Sequence, residues 1–136
     1  MEKELETNNY ALIFASLGDS GESFRVSLKA NGDSHEFNEL ACREACRWFV
    51  ELSNTLPTED NLDQWEDRVW SASTCGAELY AIPSSSGGSA IISIRCPRHW
   101  SRGSWHFNEL ACLEAAEFFN KLADILTTKR KENTYA

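Results

Sequence analysis

No apolar run in the chain approaches the roughly 20 residues that a bilayer-spanning helix needs, and the opening Met1-Glu2-Lys3-Glu4 is charged rather than leader-like. A cytoplasmic protein without membrane partners is expected. Basic residues are in deficit, 13 Lys and Arg against 21 Asp and Glu, for a net charge of −8. That balance disfavours the sequence-independent attraction to phosphate backbones unless basic side chains gather on one face. No Cys-x-x-Cys pair occurs, and the five cysteines (Cys42, Cys46, Cys75, Cys96 and Cys112) are odd in number. Reduced, buried thiols fit better than a disulfide scaffold. Gly87-Gly88 and the pair Gly18 and Gly21 lack a following Gly-Lys-Ser/Thr, so they read as hairpin turns and not as phosphate loops.

What the chain does have is a near-repeat. Phe37-Asn38-Glu39-Leu40-Ala41-Cys42 returns as Phe107-Asn108-Glu109-Leu110-Ala111-Cys112, and the correspondence continues through Ala45/Ala115, Phe49/Phe119, Leu52/Leu122 and Leu56/Leu126. Upstream, Val26-Ser27-Leu28 aligns with Ile92-Ser93-Ile94. The offset of 66 from Val26 to Ile92 becomes 70 from Phe37 to Phe107, so the second copy carries extra residues near His99 to Arg102. At 136 residues, 42% of them hydrophobic and 11% aromatic, the chain has enough apolar material for one core.

Each copy reads as a β-hairpin followed by an amphipathic helix. Asn38 and Asn108 stand as helix caps, Glu39 and Glu109 favour the positive end of the helix dipole, and Phe37/Cys42 and Phe107/Cys112 have the spacing of a hydrophobic staple. One apolar stripe runs through Leu40, Ala41, Ala45, Trp48, Phe49, Leu52 and Leu56, and another through Leu110, Ala111, Ala115, Phe118, Phe119, Leu122 and Leu126. Strands are expected at 10–17, 23–30, 77–83 and 90–96, with short additions at 35–37 and 105–107. Phe24, Val26 and Leu28 alternate with Arg25, Ser27 and Lys29, so the first set faces the helices and the other sheet face is open and partly basic.

The expected fold is α+β: internally duplicated hairpin-plus-helix units forming one antiparallel sheet, with two helices on one face and an approximate two-fold. The domain covers 9–127, with copy one at 9–56, a linker at 57–75 and copy two at 76–127. Residues 1–8 and 128–136 are expected to be flexible tails. The linker starts as an acidic capped helix at Thr58 to Trp65 and turns strand-like at Arg68-Val69-Trp70.

The most unusual stretch runs from Arg95 to His106, holding basic residues and two tryptophans but no carboxylate in an acidic chain. Arg95, Arg98, His99, Trp100, Arg102, Trp105 and His106 are the candidate partner-binding residues, because Arg and Trp dominate binding hot spots. Buried tryptophans and solubilising arginines are the plainer account of the same residues. The leading expectation is a non-enzymatic, acidic protein-binding module of the immunity or phage anti-defence inhibitor type, acting on a protein target without cofactor.

The alternative is single-stranded nucleic-acid binding on the open sheet face, with Arg25 and Lys29 as further contacts. Duplicated sheet-then-helix units with an open face resemble the architecture of the Whirly and Pur-type proteins, which implies such binding by analogy of fold. A third reading places a metal or a Cys/His enzyme site at Cys96, His99 and His106, with Cys75 as a further ligand, in a spacing that matches no standard zinc framework. Sequence leaves monomer and homodimer both open.

Overall fold

The computed structural model describes residues 5–7, 13–28, 34–84, 87–93 and 105–134. The protein is α+β. Four strands, β1 (Leu5–Thr7), β2 (Ile13–Leu17), β3 (Ser23–Leu28) and β4 (Ser34–Asn38), lead into α1 (Glu39–Asn54). Four more, β5 (Arg68–Ser71), β6 (Glu78–Pro83), β7 (Ser89–Ser93) and β8 (Trp105–Asn108), lead into α2 (Glu109–Thr134).

The described strands form two sheets and not the single sheet expected, in orders β1-β2-β3-β4 and β5-β6-β7-β8, every pairing antiparallel. Each short strand flanking a hairpin completes its own meander. The chain then passes from β4 or β8 straight into a helix, so the halves meet through side chains rather than by joining sheet edges.

Both helices start on the same device. The Asn38 side-chain oxygen accepts from the Ala41 N–H at 2.8 Å, and the Asn108 oxygen accepts from Ala111 N–H at 2.9 Å. Behind each cap the thiol of Cys42 or Cys112 points at the carbonyl of Phe37 or Phe107, at 4.0 and 3.9 Å, and all four residues are buried in the core. Asn38→Ala and Asn108→Ala are each expected to cost about 1 kcal/mol, read as a shift in urea midpoint with unchanged slope.

The core is shared. Ile13, Ala15, Phe24, Val26 and Phe37 from the first sheet, and Leu79, Ala81, Ala90, Ile92 and Phe107 from the second, lie in one buried cluster with the helices. Phe24, Val26 and Leu28 are buried, as their alternation predicts. Four phenylalanines interlock across the halves: Phe37 of β4 meets Phe119 of α2 at 5.1 Å, and Phe49 of α1 meets Phe107 of β8 at 5.9 Å. Phe49 and Phe119 stack on each other at 5.8 Å. Trp70 of β5 stacks on Phe37 at 5.6 Å, so the two sheets also touch directly.

The helix pair is antiparallel. Arg43, near the start of α1, hydrogen-bonds Asn120, Asp124 and Thr127 of α2, and Arg130 hydrogen-bonds Glu39. Hydrogen bonding to Arg130 holds the Glu39 carboxyl below its usual range.

Three expectations change. Thr58 to Trp65 is not a helix: Thr58 and Asn61 cap each other reciprocally, but only one 3-10 turn follows, Leu62–Gln64. α2 runs to Thr134, through most of the stretch expected as a tail, and β1 lies within 1–8. Leu40 and Leu110, counted in the apolar stripes, are exposed.

The linker is nonetheless held at both ends. The indole N–H of Trp65 donates to the Thr55 carbonyl at 2.8 Å, and Arg68 lies over the Trp65 ring while bonding Thr55. These groups satisfy the Thr55 carbonyl, which the end of α1 leaves open. On the other side Gly88 donates to the Pro57 carbonyl at 2.7 Å. Gly87 has φ of 75°, and a Cβ there would stand 3.1 Å from the Glu59 nitrogen, so the turn admits the linker only with glycine.

Candidate functional site

The two sheets present different outer surfaces. In the first, the cross-strand row is Leu5, Ser16, Arg25, Glu36, with Arg25 paired to Glu36 at 3.3 Å, and the adjacent row carries Phe14. In the second, the matching row is Ile82, Ile91, His106. The adjacent row carries Val69 opposite Tyr80, and Val69 on the edge strand is 58% exposed. Ile82, Ile91 and Tyr80 are half-buried and His106 is exposed. Tyr80 directs its hydroxyl to Glu78 at 2.9 Å, leaving its ring as part of the apolar surface.

These positions follow from strand alternation. Leu79, Ala81 and Ile92 point into the core, so Tyr80, Ile82 and Ile91 point outward. The adjacent pair Ile91-Ile92 carried the signal: two consecutive branched apolar residues place one on each sheet face.

Of the sequence-predicted partner residues, Arg95, Arg98, His99, Trp100 and Arg102 lie outside the described residues, as does Lys29. Trp105 and His106 belong to β8, and His106 stands beside Ile91 on the outer face. The stretch from 94 to 104 therefore leaves from β7 and returns to β8 within the sheet that carries the apolar row. Arg25, expected as an open-face cation, has its charge matched by Glu36, with both side chains largely exposed.

Cys96 and His99 of the metal reading are also outside the described residues. Among the described residues no group of His, Cys, Asp and Glu is placed to hold a metal ion. Cys42 and Cys112 are buried, and burial pushes both thiols up to about 12. Such thiols make poor nucleophiles and poor ligands.

A cleft of about 470 Å³ opens where α1 begins and α2 ends, lined by Asn38, Glu39, Leu40, Thr74, Leu126 and Arg130. The polar groups that α1, α2 and the linker bring to it are engaged with one another. Asn38 caps α1 and bonds Thr74, while Glu39 holds Arg130. The cleft is a structural seam between halves, with Ser73 also bonded to Glu44.

No helix among the described residues is long and apolar enough to cross a membrane. Neither a family model, nor a curated protein, nor a solved structure matches the chain. The class that the fold defines is an α+β protein of two meander-and-helix halves.

Proposed function

We propose that the protein is a non-enzymatic, acidic protein-binding module, an inhibitor of the immunity or anti-defence type, whose target docks on the outer face of the second sheet. The carrying observation is the row Ile82, Ile91, His106 with Val69 and Tyr80 beside it, on the sheet whose partner presents Ser16, Arg25 and Glu36 in the same row. Partly exposed apolar side chains grouped on an outer sheet face are the kind of surface that protein partners cover. The segment carrying Arg98, Trp100 and Arg102 joins this sheet at both ends and supplies the residue types of a hot spot.

The same reading takes the halves as internal copies related by an approximate two-fold. Its support is that the contacts correspond in pairs: Phe37 to Phe119 with Phe49 to Phe107, and Trp48 to Phe49 with Phe118 to Phe119. On this reading the copies keep their core and differ on their outer rows, one mostly polar and one adapted to a target in the cytoplasm.

The test is affinity purification from the source cell with the wild type, Ile82→Glu/Ile91→Glu and Trp100→Ala/Arg102→Ala side by side. One stoichiometric protein is expected with the wild type and lost from the sheet-face variant, while the variant keeps its circular dichroism and melting temperature. Recovery of nuclease-sensitive nucleic acid in place of a protein would transfer the site to the alternative class. Undiminished capture by the isoleucine variant would remove the sheet face from the proposal.

A further inference from the structure

Strands β4 and β5 both lie at sheet edges, and they are closed to different degrees. On β4 the outward carbonyl of Glu36 accepts from the Cys75 thiol at 3.3 Å, and Asn38 bonds Thr74. On β5 the direction of each main-chain group follows from Ala72, whose N–H donates to the Ala77 carbonyl at 2.9 Å. Bonded pairs in an antiparallel ladder recur at every second residue, so Trp70 with Leu79 and Arg68 with Ala81 carry the ladder to β6. The N–H and C=O of Val69 and Ser71 therefore point away from β6, to the open edge. Neither residue makes a hydrogen bond there among the described residues. The next outward N–H, that of Ser73, is taken by Glu44 of α1, which ends the open stretch.

β5 also lacks the usual guards of an exposed edge. It has no proline and no bulge, and its one charged residue, Arg68, is turned onto the Trp65 ring and Thr55. Val69 is 58% exposed, and Ser71 is exposed as well. One step before the first pair, the register sets Asp67 level with Ile82, at the end of the row Ile82, Ile91, His106. Asp67 is exposed and enters no ion pair among the described residues.

Resting on the reading of this sheet's outer face as the target's docking surface, we propose that an extended segment of the target adds to the sheet as a fifth strand antiparallel to β5. The segment carries a β-branched residue followed two positions later by lysine or arginine. In strand addition the main chain supplies binding and alternate side chains supply selection. The added strand brings partners to the four unpaired groups of Val69 and Ser71. In the antiparallel direction, the residue opposite Val69 precedes by two the residue opposite Asp67. Both stand on one face of the added strand, where a branched side chain packs beside Val69 and a cation meets the Asp67 carboxylate. A nucleic-acid strand has no alternating N–H and C=O to match this edge, and its phosphates would stand against Asp67.

The probe is a blocked peptide, acetyl-Ser-Thr-Val-Thr-Lys-Thr-Ser-amide, titrated into the isotope-labelled full chain and followed by NMR. The amide signals of Val69 and Ser71 are expected to shift saturably and to gain protection from exchange. The same peptide methylated on its valine nitrogen should leave them unmoved, and glutamate in place of its lysine should weaken binding about fivefold. Asp67→Lys reverses that preference. Absence of any shift, shifts scattered over the acidic face of α2 without Val69 and Ser71, or equal binding by the methylated peptide overturns strand addition. Val69 and Ser71 amides already protected without peptide, and losing protection on dilution, give the edge to a second copy and overturn it as well. Val69→Pro removes an outward donor without touching the ladder to β6, so in target capture it should lose the partner at unchanged melting temperature. Capture kept by Val69→Pro but lost by Ile82→Glu/Ile91→Glu overturns strand addition and leaves the sheet face standing. Capture indifferent to the isoleucine pair removes the reading beneath both.

Discussion

Phe49→Ala is expected to lower the free energy of unfolding by about 3–5 kcal/mol, which is a large share of what holds a domain of this size together. Phe49 is fully buried and touches three other rings: Phe119 at 5.8 Å, Phe107 at 5.9 Å and Trp48 at 5.0 Å. Its removal opens a cavity where α1, α2 and β8 meet. Native stabilities of about 5–15 kcal/mol leave such a variant marginal. Phe119→Ala, which loses the contacts to Phe37 and Phe49, should cost a similar amount. The double substitution should fall short of the sum by about 0.5–1.5 kcal/mol, because the two residues share one contact. Urea unfolding of the four proteins, with equal slopes, gives each value. Additive losses would show that the rings fill space without coupling to each other.

The second large effect is chemical. With their thiols pushed up to about 12, Cys42 and Cys112 are almost wholly protonated at pH 8. An ordinary thiol titrates near 8.5, so the thiolate fraction of these two is lower by about a thousandfold. In the native protein a thiolate-directed reagent should leave Cys42 and Cys112 unmodified long after exposed thiols react, and should reach them at the unfolding rate. Peptide mapping after timed labelling reads this residue by residue.

The same shift makes stability depend on pH, and the sign follows from the direction. Burial raises the folded pKa above the unfolded value, so the unfolded chain loses these two protons first as pH rises. The stabilisation is complete below about pH 8 and is lost progressively between there and about pH 12, up to a few kcal/mol per thiol. Cys42→Ala/Cys112→Ala should flatten the alkaline limb of the stability curve. A limb unchanged by that substitution would assign the alkaline loss to other groups.

Much of each half was legible because its determinants are local. The Asn cap, the Phe and Cys staple and the stripe through Ala45, Phe49 and Leu52 all lie within a few turns, and α1 begins where they place it. The short strand at His35 to Phe37 was legible for the same reason: it alternates and precedes a cap. What escaped depends on contacts distant in sequence. Whether β4 pairs with a strand of the other half or ends a sheet of its own is decided by where Phe37 finds Trp70 and Phe119, and no local pattern encodes that.

The linker failed as a helix for a different reason. Thr58 and Asn61 supply a start signal, but Leu62 and Trp65 offer too narrow an apolar face to repay more than one turn, and Trp65 is committed to the end of α1. The candidate site was legible only in its chain neighbours. The outer row became visible once register placed Ile82 beside Ile91 and His106.

The crossed phenylalanines also limit what can be separated. Because Phe37 leans on α2 and Phe49 on β8, neither half closes its own core, so a chain cut in the linker near Asp63 would yield two pieces that fold on meeting. Divided this way, the molecule becomes a reporter of proximity: two fusions carrying the pieces would restore a folded protein where they meet.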